Sequence, residues 1–118
     1  MGFVLDAIIR EDIFIGPETV SVDFLTDSFD ISKAESDFSV QLTYDNGSAV
    51  NVNLYLEVSS DNVNFSEITG SGQNISDASG SHIWDIQGSG AVFARVKIEV
   101  IAGSIDLQKI EYTGKRRH

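Results

Sequence analysis

Between Val50 and Ile68 the chain reads VNVNLYLEVSSDNVNFSEI, in which a strictly alternating segment runs straight into an Asp/Asn-rich turn. Val50, Val52, Leu54, Leu56 and Val58 are aliphatic at every second position, and Asn51, Asn53 and Glu57 lie between them. A period of two is that of a β-strand with one face in a core and one face in water. A helix would scatter these aliphatics around its whole circumference. Tyr55 alone breaks the polar set, so an aromatic ring is predicted on the wet face.

The same period recurs elsewhere. Phe38, Val40, Leu42 and Tyr44 alternate with Ser39, Gln41 and Thr43, while Val92, Ala94, Val96, Ile98 and Val100 alternate with Phe93, Arg95, Lys97 and Glu99. Phe93 therefore shares the polar phase of its strand. Ile105 and Leu107 are out of phase with Ile110 and Tyr112, and one extra residue near Gln108 and Lys109 would reconcile them as a β-bulge. Asn46-Gly47 supplies the positive φ angles of a two-residue turn and predicts a hairpin joining the strand that ends at Tyr44 to the one that starts near Ala49. Gly103-Ser104 reads as a second turn.

The N-terminal stretch from Phe3 to Ile15 reads as two short strands around a charged turn at Arg10-Glu11-Asp12, its β-branched content arguing against a short helix. After Gly16-Pro17, the residues Val20, Val22 and Phe24 alternate again, and Phe29 and Ile31 continue the sheet at an edge. Thr69 to Ser81 is rich in Gly, Ser, Asn and Asp, a long excursion of the kind that carries function or subunit contacts. A strand over Ser81 to Ile86 and a turn at Gly88-Ser89-Gly90 follow. The sum is about eight to nine strands without a helix, which predicts an all-β antiparallel β-sandwich or jelly roll, with a closed barrel as the competing architecture.

At 118 residues the chain is sized for one domain, read as residues 1–114 with a basic tail at 115–118. No apolar run reaches membrane-span length and the first residues lack signal-peptide features, so a soluble, unprocessed chain is expected. There is no Cys, which removes disulfides and thiolate chemistry. The net charge is −10, and from Ala34 to Ala94 there are eight acidic residues and no Lys or Arg. Such a field disfavours nucleic acid. Lys115, Arg116 and Arg117 reverse the sign at the C-terminus, where they could meet an acidic neighbour.

The segment Leu56 to Ile68, with Ser81-His82-Ile83-Trp84-Asp85-Ile86 and Ala94-Arg95-Val96-Lys97-Ile98, resembles a pattern in small structural proteins of tailed-phage virions. There a strand leads to S-x-D-G-x-N-W/F-x-x-I, then a loop, an L-W-D/N-I strand and an R-Y/F-V-R-V strand. The same strand-turn logic occurs in discoidin-like carbohydrate- or lipid-binding domains. The resemblance spans Asp37 to Gly114. It departs at Asn62, where Gly is usual, and at Phe65, where Trp is common and an aromatic core plug is expected. It implies a jelly-roll-like, non-enzymatic virion component, such as a head decoration, a minor head or tail protein, or a fibre-associated module, assembled in the host cytoplasm. A carbohydrate-binding module of discoidin-like fold is the alternative.

Candidate binding or interface residues follow from the out-of-phase aromatics and their polar neighbours: Tyr55, Phe93, Asn53 and Gln41, with Trp84 as a further aromatic that a second layer is expected to cover. The partners expected are further copies of the chain, other virion proteins or a surface glycan. Asp61, Asn62, Asn64 and Glu67 form a weak calcium candidate, because they are hard oxygen donors but lack the spacing of a calcium loop; they also suit a tight turn. His82 and Asp85 could join a Ser in a hydrolytic set, yet no nucleophile-elbow motif is present and His118 is the only other His. No catalytic residue, cofactor or zinc site is expected. Asn46, Asn64 and Asn74 head glycosylation-type triplets that read as turn chemistry.

Overall fold

The computed structural model describes residues 8–116, so the expectations for residues 3–7 and for Arg117 and His118 lie outside them. Two long strands form the spine. β4 (Ala34–Ser59) and β8 (Phe93–Arg116) run antiparallel along each other, from the pair Ala34 and Arg116 to the pair Ser59 and Phe93. The flanking strands are β1 (Ile8–Val20), β2 (Phe24–Leu25), β3 (Phe29–Asp30), β5 (Ser66–Glu67), β6 (Gln73–Ile75) and β7 (Gly80–Ile86). All eight belong to one antiparallel sheet. No described helix is long and apolar enough to cross a membrane.

The spine is bent in the middle. Register shifts fall between Asp45 and Val52 of β4, and Asn46, Ala49 and Gly103 take φ of 50°, 52° and 75°. On one side of the bend the order is β1, β8, β4, β7; on the other, β2 and β3 pair with β8 while β5 and β6 pair with β4. The two halves close on each other as a β-sandwich. Phe29 meets Tyr112 at 5.6 Å between ring centroids and Phe14 meets Phe24 at 6.0 Å, each pair joining opposite halves.

The alternation sorts the core as expected. Phe38, Val40, Leu42, Tyr44, Val52, Leu54, Leu56, Ala94, Val96 and Ile98 are buried together with Ile105, Leu107, Ile110 and Tyr112. Each large aliphatic so buried contributes about 1.5–3 kcal/mol by leaving water. The bulge lies where the phase change placed it: Thr43 pairs with Lys109 and Tyr44 with Leu107, so Gln108 is the extra residue.

Four local expectations are corrected. Asn46-Gly47 does not close a hairpin, since Tyr44 pairs with Leu107 and Gly80 while Val52 pairs with Val100 and Ile75. The positive φ at Asn46 bends one continuous strand, and glycine is needed because a Cβ on Gly47 would come within 2.9 Å of the Ala78 backbone, to whose carbonyl the Gly47 N–H donates at 2.7 Å. Gly103-Ser104 is likewise no chain reversal but the matching corner in β8, where a Cβ on Gly103 would lie 2.1 Å from the Ser48 carbonyl oxygen. Arg10-Glu11-Asp12 is not a turn either. It lies within β1 opposite Thr113, Tyr112 and Glu111, and Lys109 bridges Asp12 and Glu111 at 3.2 and 3.3 Å, which makes the charges compatible with a strand. The predicted run from Val20 to Phe24 also breaks, with Val22 outside any strand and 72% exposed.

Candidate functional site

The outer face of the half built from β4 and β8 gathers the residues that the polar phase singled out. Across the two strands Asn53 stands opposite Glu99, Tyr55 opposite Lys97, Glu57 opposite Arg95, and Ser59 opposite Phe93. Arg95 Nε donates to Glu57 Oε1 at 2.6 Å, and its guanidinium carbon lies 4.0 Å from the centroid of the Phe65 ring. Lys97 Nζ lies 5.7 Å from the centroid of Tyr55. Cations over aromatic faces hold the rings in place at the surface, each contact being worth about 0.5–1 kcal/mol where exposed.

The Thr69 to Ser81 excursion returns to this face. β6 pairs Val52, Asn53 and Leu54 with Ile75, Asn74 and Gln73 and buries Ile75. Asn74 Nδ2 then donates to Asn51 Oδ1 at 2.9 Å and to Asn53 Oδ1 at 2.8 Å, while Asn53 Nδ2 donates to Glu99 Oε1 at 3.0 Å. Beside this amide chain the Tyr55 ring lies against Gly72, where an added Cβ would stand 2.9 Å from its Cε1. Tyr55, Phe65 and Phe93 are all half-buried, neither core nor free.

Of the five candidates named from sequence, Tyr55, Asn53 and Phe93 thus share one face. Gln41 does not join them, because it belongs to the other half, between Ile83 of β7 and Glu111 of β8. Trp84 is placed inside, 4% exposed, and its indole N–H donates to the Ser71 carbonyl at 2.7 Å. Phe65, expected as a core plug, lies instead on the outer face under Arg95, because Ser66 and Glu67 pair with Val58 and Glu57 and this register turns Ile68 toward the core. Phe65 and Asn74 are the two face residues that sequence reasoning missed. Ile75, the one large apolar residue of its loop, was the available sign that a strand returns there.

The turn after β4 is closed by Asp61. Its Oδ1 accepts from the Ser59 hydroxyl and from the main-chain N–H groups of Val63 and Asn64 at 2.8–2.9 Å, and its Oδ2 from Asn64 Nδ2 at 2.7 Å. These bonds, led by the Asn64 and Val63 amides, hold its carboxyl far below the usual carboxylate range. Asn62 takes φ of 63°, a left-handed conformation that Asn accepts more readily than most residues other than Gly. Glu67 stands outside the turn, opposite Glu57.

His82 and Asp85 are not brought together. Three residues apart on β7, they point to opposite faces: His82 packs edge-on against Trp84 with centroids 4.7 Å apart, and Asp85 accepts the Ser39 hydroxyl on the outer side. Burial pushes the His82 imidazole down from its ordinary value. Among the described residues no three His, Asp or Glu side chains converge as a metal centre.

No protein-family model matches the chain and no curated protein matches it in sequence. Solved structures do match in shape. The enzymatically active domain of tailspike protein 4 from bacteriophage CBA120 superposes with a TM-score of 0.61 at 14% identity over 93% of this chain, which spans 18% of the tailspike chain. The SPBc2 prophage-derived protein YomS gives 0.60 at 11% identity, covering 95% of this chain and 97% of YomS. A chain of infectious bursal disease virus, Gt strain, gives 0.56 at 10% identity over 92% of this chain and 32% of that one. The β fold described above is therefore one that phage, prophage and virus proteins use.

Proposed function

We propose that the chain is a non-enzymatic structural module of a phage particle that docks on its neighbours through the outer face carrying Tyr55, Phe65 and Phe93. The observation that carries this reading is the way those rings are held: all three half-buried, Phe65 under Arg95 and Tyr55 beside Lys97, with amides that already bond one another bordering Tyr55. Aromatic rings bury large area at low entropic cost when a second protein covers them, and Tyr55 adds a hydroxyl that can hydrogen-bond. The likeness to YomS over nearly the full length of both chains supports a small module of this size in a phage setting. The separation of His82 from Asp85 leaves no hydrolytic set at the residues that suggested one. Density-gradient purification of phage particles from the producing host tests the reading: the chain is expected in the particle fractions, and its confinement to the soluble fractions would refute it.

A second reading has one observation in its favour. The long loop brings Gln73 and Asn74 beside Asn51, Asn53 and Tyr55, an arrangement of amides and a ring that suits a sugar. A glycan array separates the two: specific binding that is lost in Asn53→Ala supports a carbohydrate-binding module, and no binding across the array supports protein docking.

A further inference from the structure

The sheet that contains β1, β8, β4 and β7 ends in two outer strands, and they are built differently. β1 carries Arg10, Glu11 and Asp12, a register shift between Ile15 and Glu18, and Pro17, which has no N–H to offer. Charges, bulges and Pro are the features that keep an edge strand from pairing with another molecule. β7 has neither a bulge nor a Pro, and a single charged residue. It runs from Gly80 to Ile86 with an unbroken register against β4, and among the described residues it is paired on that side only. Its one charged side chain, Asp85, is engaged by the Ser39 hydroxyl, and Ile83 stands 50% exposed on the outer face.

We infer that β7 pairs with the β7 of a second copy, antiparallel, about a two-fold axis passing beside Ile83. This rests on the structural-module reading and names another copy of the chain as a partner. The side-chain order selects the register. Centred on Ile83, all seven residues of the strand find an opposite number. Ile83 faces the partner's Ile83, Asp85 faces the partner's Ser81, and Trp84 faces the partner's His82. Centring on Asp85 would oppose two carboxylates, and centring on Trp84 would set Ile83 against Asp85; both also leave strand residues unpaired. The segment beside the indole, Thr69-Gly70-Ser71-Gly72, carries only small side chains. The charge of −10 on each copy opposes association at low salt, so the contact belongs to physiological ionic strength or above.

The chain has no Cys, so an introduced one can cross-link only to itself in another copy. Residues facing each other across an antiparallel pair have Cα atoms about 4.5–5.5 Å apart, within the range a disulfide spans. Under mild oxidation Ile83→Cys, 50% exposed in the parent, is expected to form covalent dimer at least about tenfold faster than Ile15→Cys, a more exposed position on β1 at 72%. Equal rates would overturn the inference. In the unmodified background, Ile83→Lys opposes two cations at the axis while leaving the core untouched; light scattering is expected to show a concentration-dependent dimer for the parent chain and a monomer for the variant. A parent that stays monomeric, or a dimer that survives Ile83→Lys, would also overturn it. Those results bear on self-pairing alone, because docking through the Tyr55 face is read separately by particle incorporation.

Discussion

The indole N–H of Trp84 donates to the main-chain carbonyl of Ser71 at 2.7 Å, tying β7 of one half of the sandwich to the loop that closes the other. Trp84→Phe keeps the ring in the core but leaves that buried carbonyl without its donor. A loss of about 1–3 kcal/mol is expected from urea unfolding followed by circular dichroism. An unchanged midpoint would show that the bond does not hold the halves together.

The bend in the spine depends on backbone geometry at Gly103. Gly88 has a similar φ, 70° against 75°, but open space where a Cβ would go, whereas at Gly103 the Ser48 carbonyl oxygen lies 2.1 Å from that position. Gly88→Ala is expected to cost about 1–2 kcal/mol, the ordinary charge for a left-handed L-residue. Gly103→Ala adds a backbone collision and is expected to lower the melting temperature far more. Thermal melts of the two variants side by side check this.

Phe65 and Leu54 separate surface from core. Leu54 is fully buried in β4, so Leu54→Ala is expected to cost about 2–5 kcal/mol. Phe65→Ala loses mainly its contact with the Arg95 guanidinium and is expected to cost about 1 kcal/mol. A core-sized loss at Phe65 in denaturant titration would contradict the register of β5.

Two groups give opposite pH signatures. Tyr112, buried and close to Glu11 and Asp30, has its hydroxyl pushed up to about 12, burial being the main cause. Its folded form holds the proton more tightly than the unfolded chain, so the stability it contributes is complete below about pH 10 and is lost as pH rises from there towards 12. Asp61 is shifted the other way by its amide and hydroxyl donors, so its contribution is present above about pH 4 and is lost as pH falls below it. Absorbance titration of tyrosinate should show a late ionisation that is lost in Tyr112→Phe, and Asp61→Asn should flatten the acid limb of the stability curve.

Calcium is expected to leave the melting temperature unchanged at millimolar concentration. Both carboxylate oxygens of Asp61 already accept bonds from Ser59, Val63 and Asn64, and Glu67 lies in the next strand. A rise in melting temperature on adding calcium, absent in Asp61→Ala, would show that the turn reorganises around the ion.

Much of the fold was legible because burial repeats at every second residue. The inward sets of residues 38–44, 50–58 and 92–100 and the bulge at Gln108 all follow from that parity. What parity does not carry is the identity of neighbours. Asn46-Gly47 supplies positive φ to a hairpin and to a strand corner alike, and the choice was made by distant contacts with Ala78 and Gly103, which no local pattern reports. The site divides in the same way. Tyr55, Asn53 and Phe93 were legible as outward residues, whereas the side taken by Phe65 depends on the two-residue β5 and the arrival of Asn74 on a three-residue β6, both too short to show a period.

Incorporation into particles tests docking through the Tyr55 face most directly. The parent chain, a Tyr55→Ala/Phe93→Ala variant and a Gln41→Ala control from the other half are compared after density-gradient purification of phage made in their presence. Parent and control are expected in the particle band, and the double variant, folded by circular dichroism, is expected to remain in the soluble fractions. Equal incorporation of all three chains would contradict docking through this face.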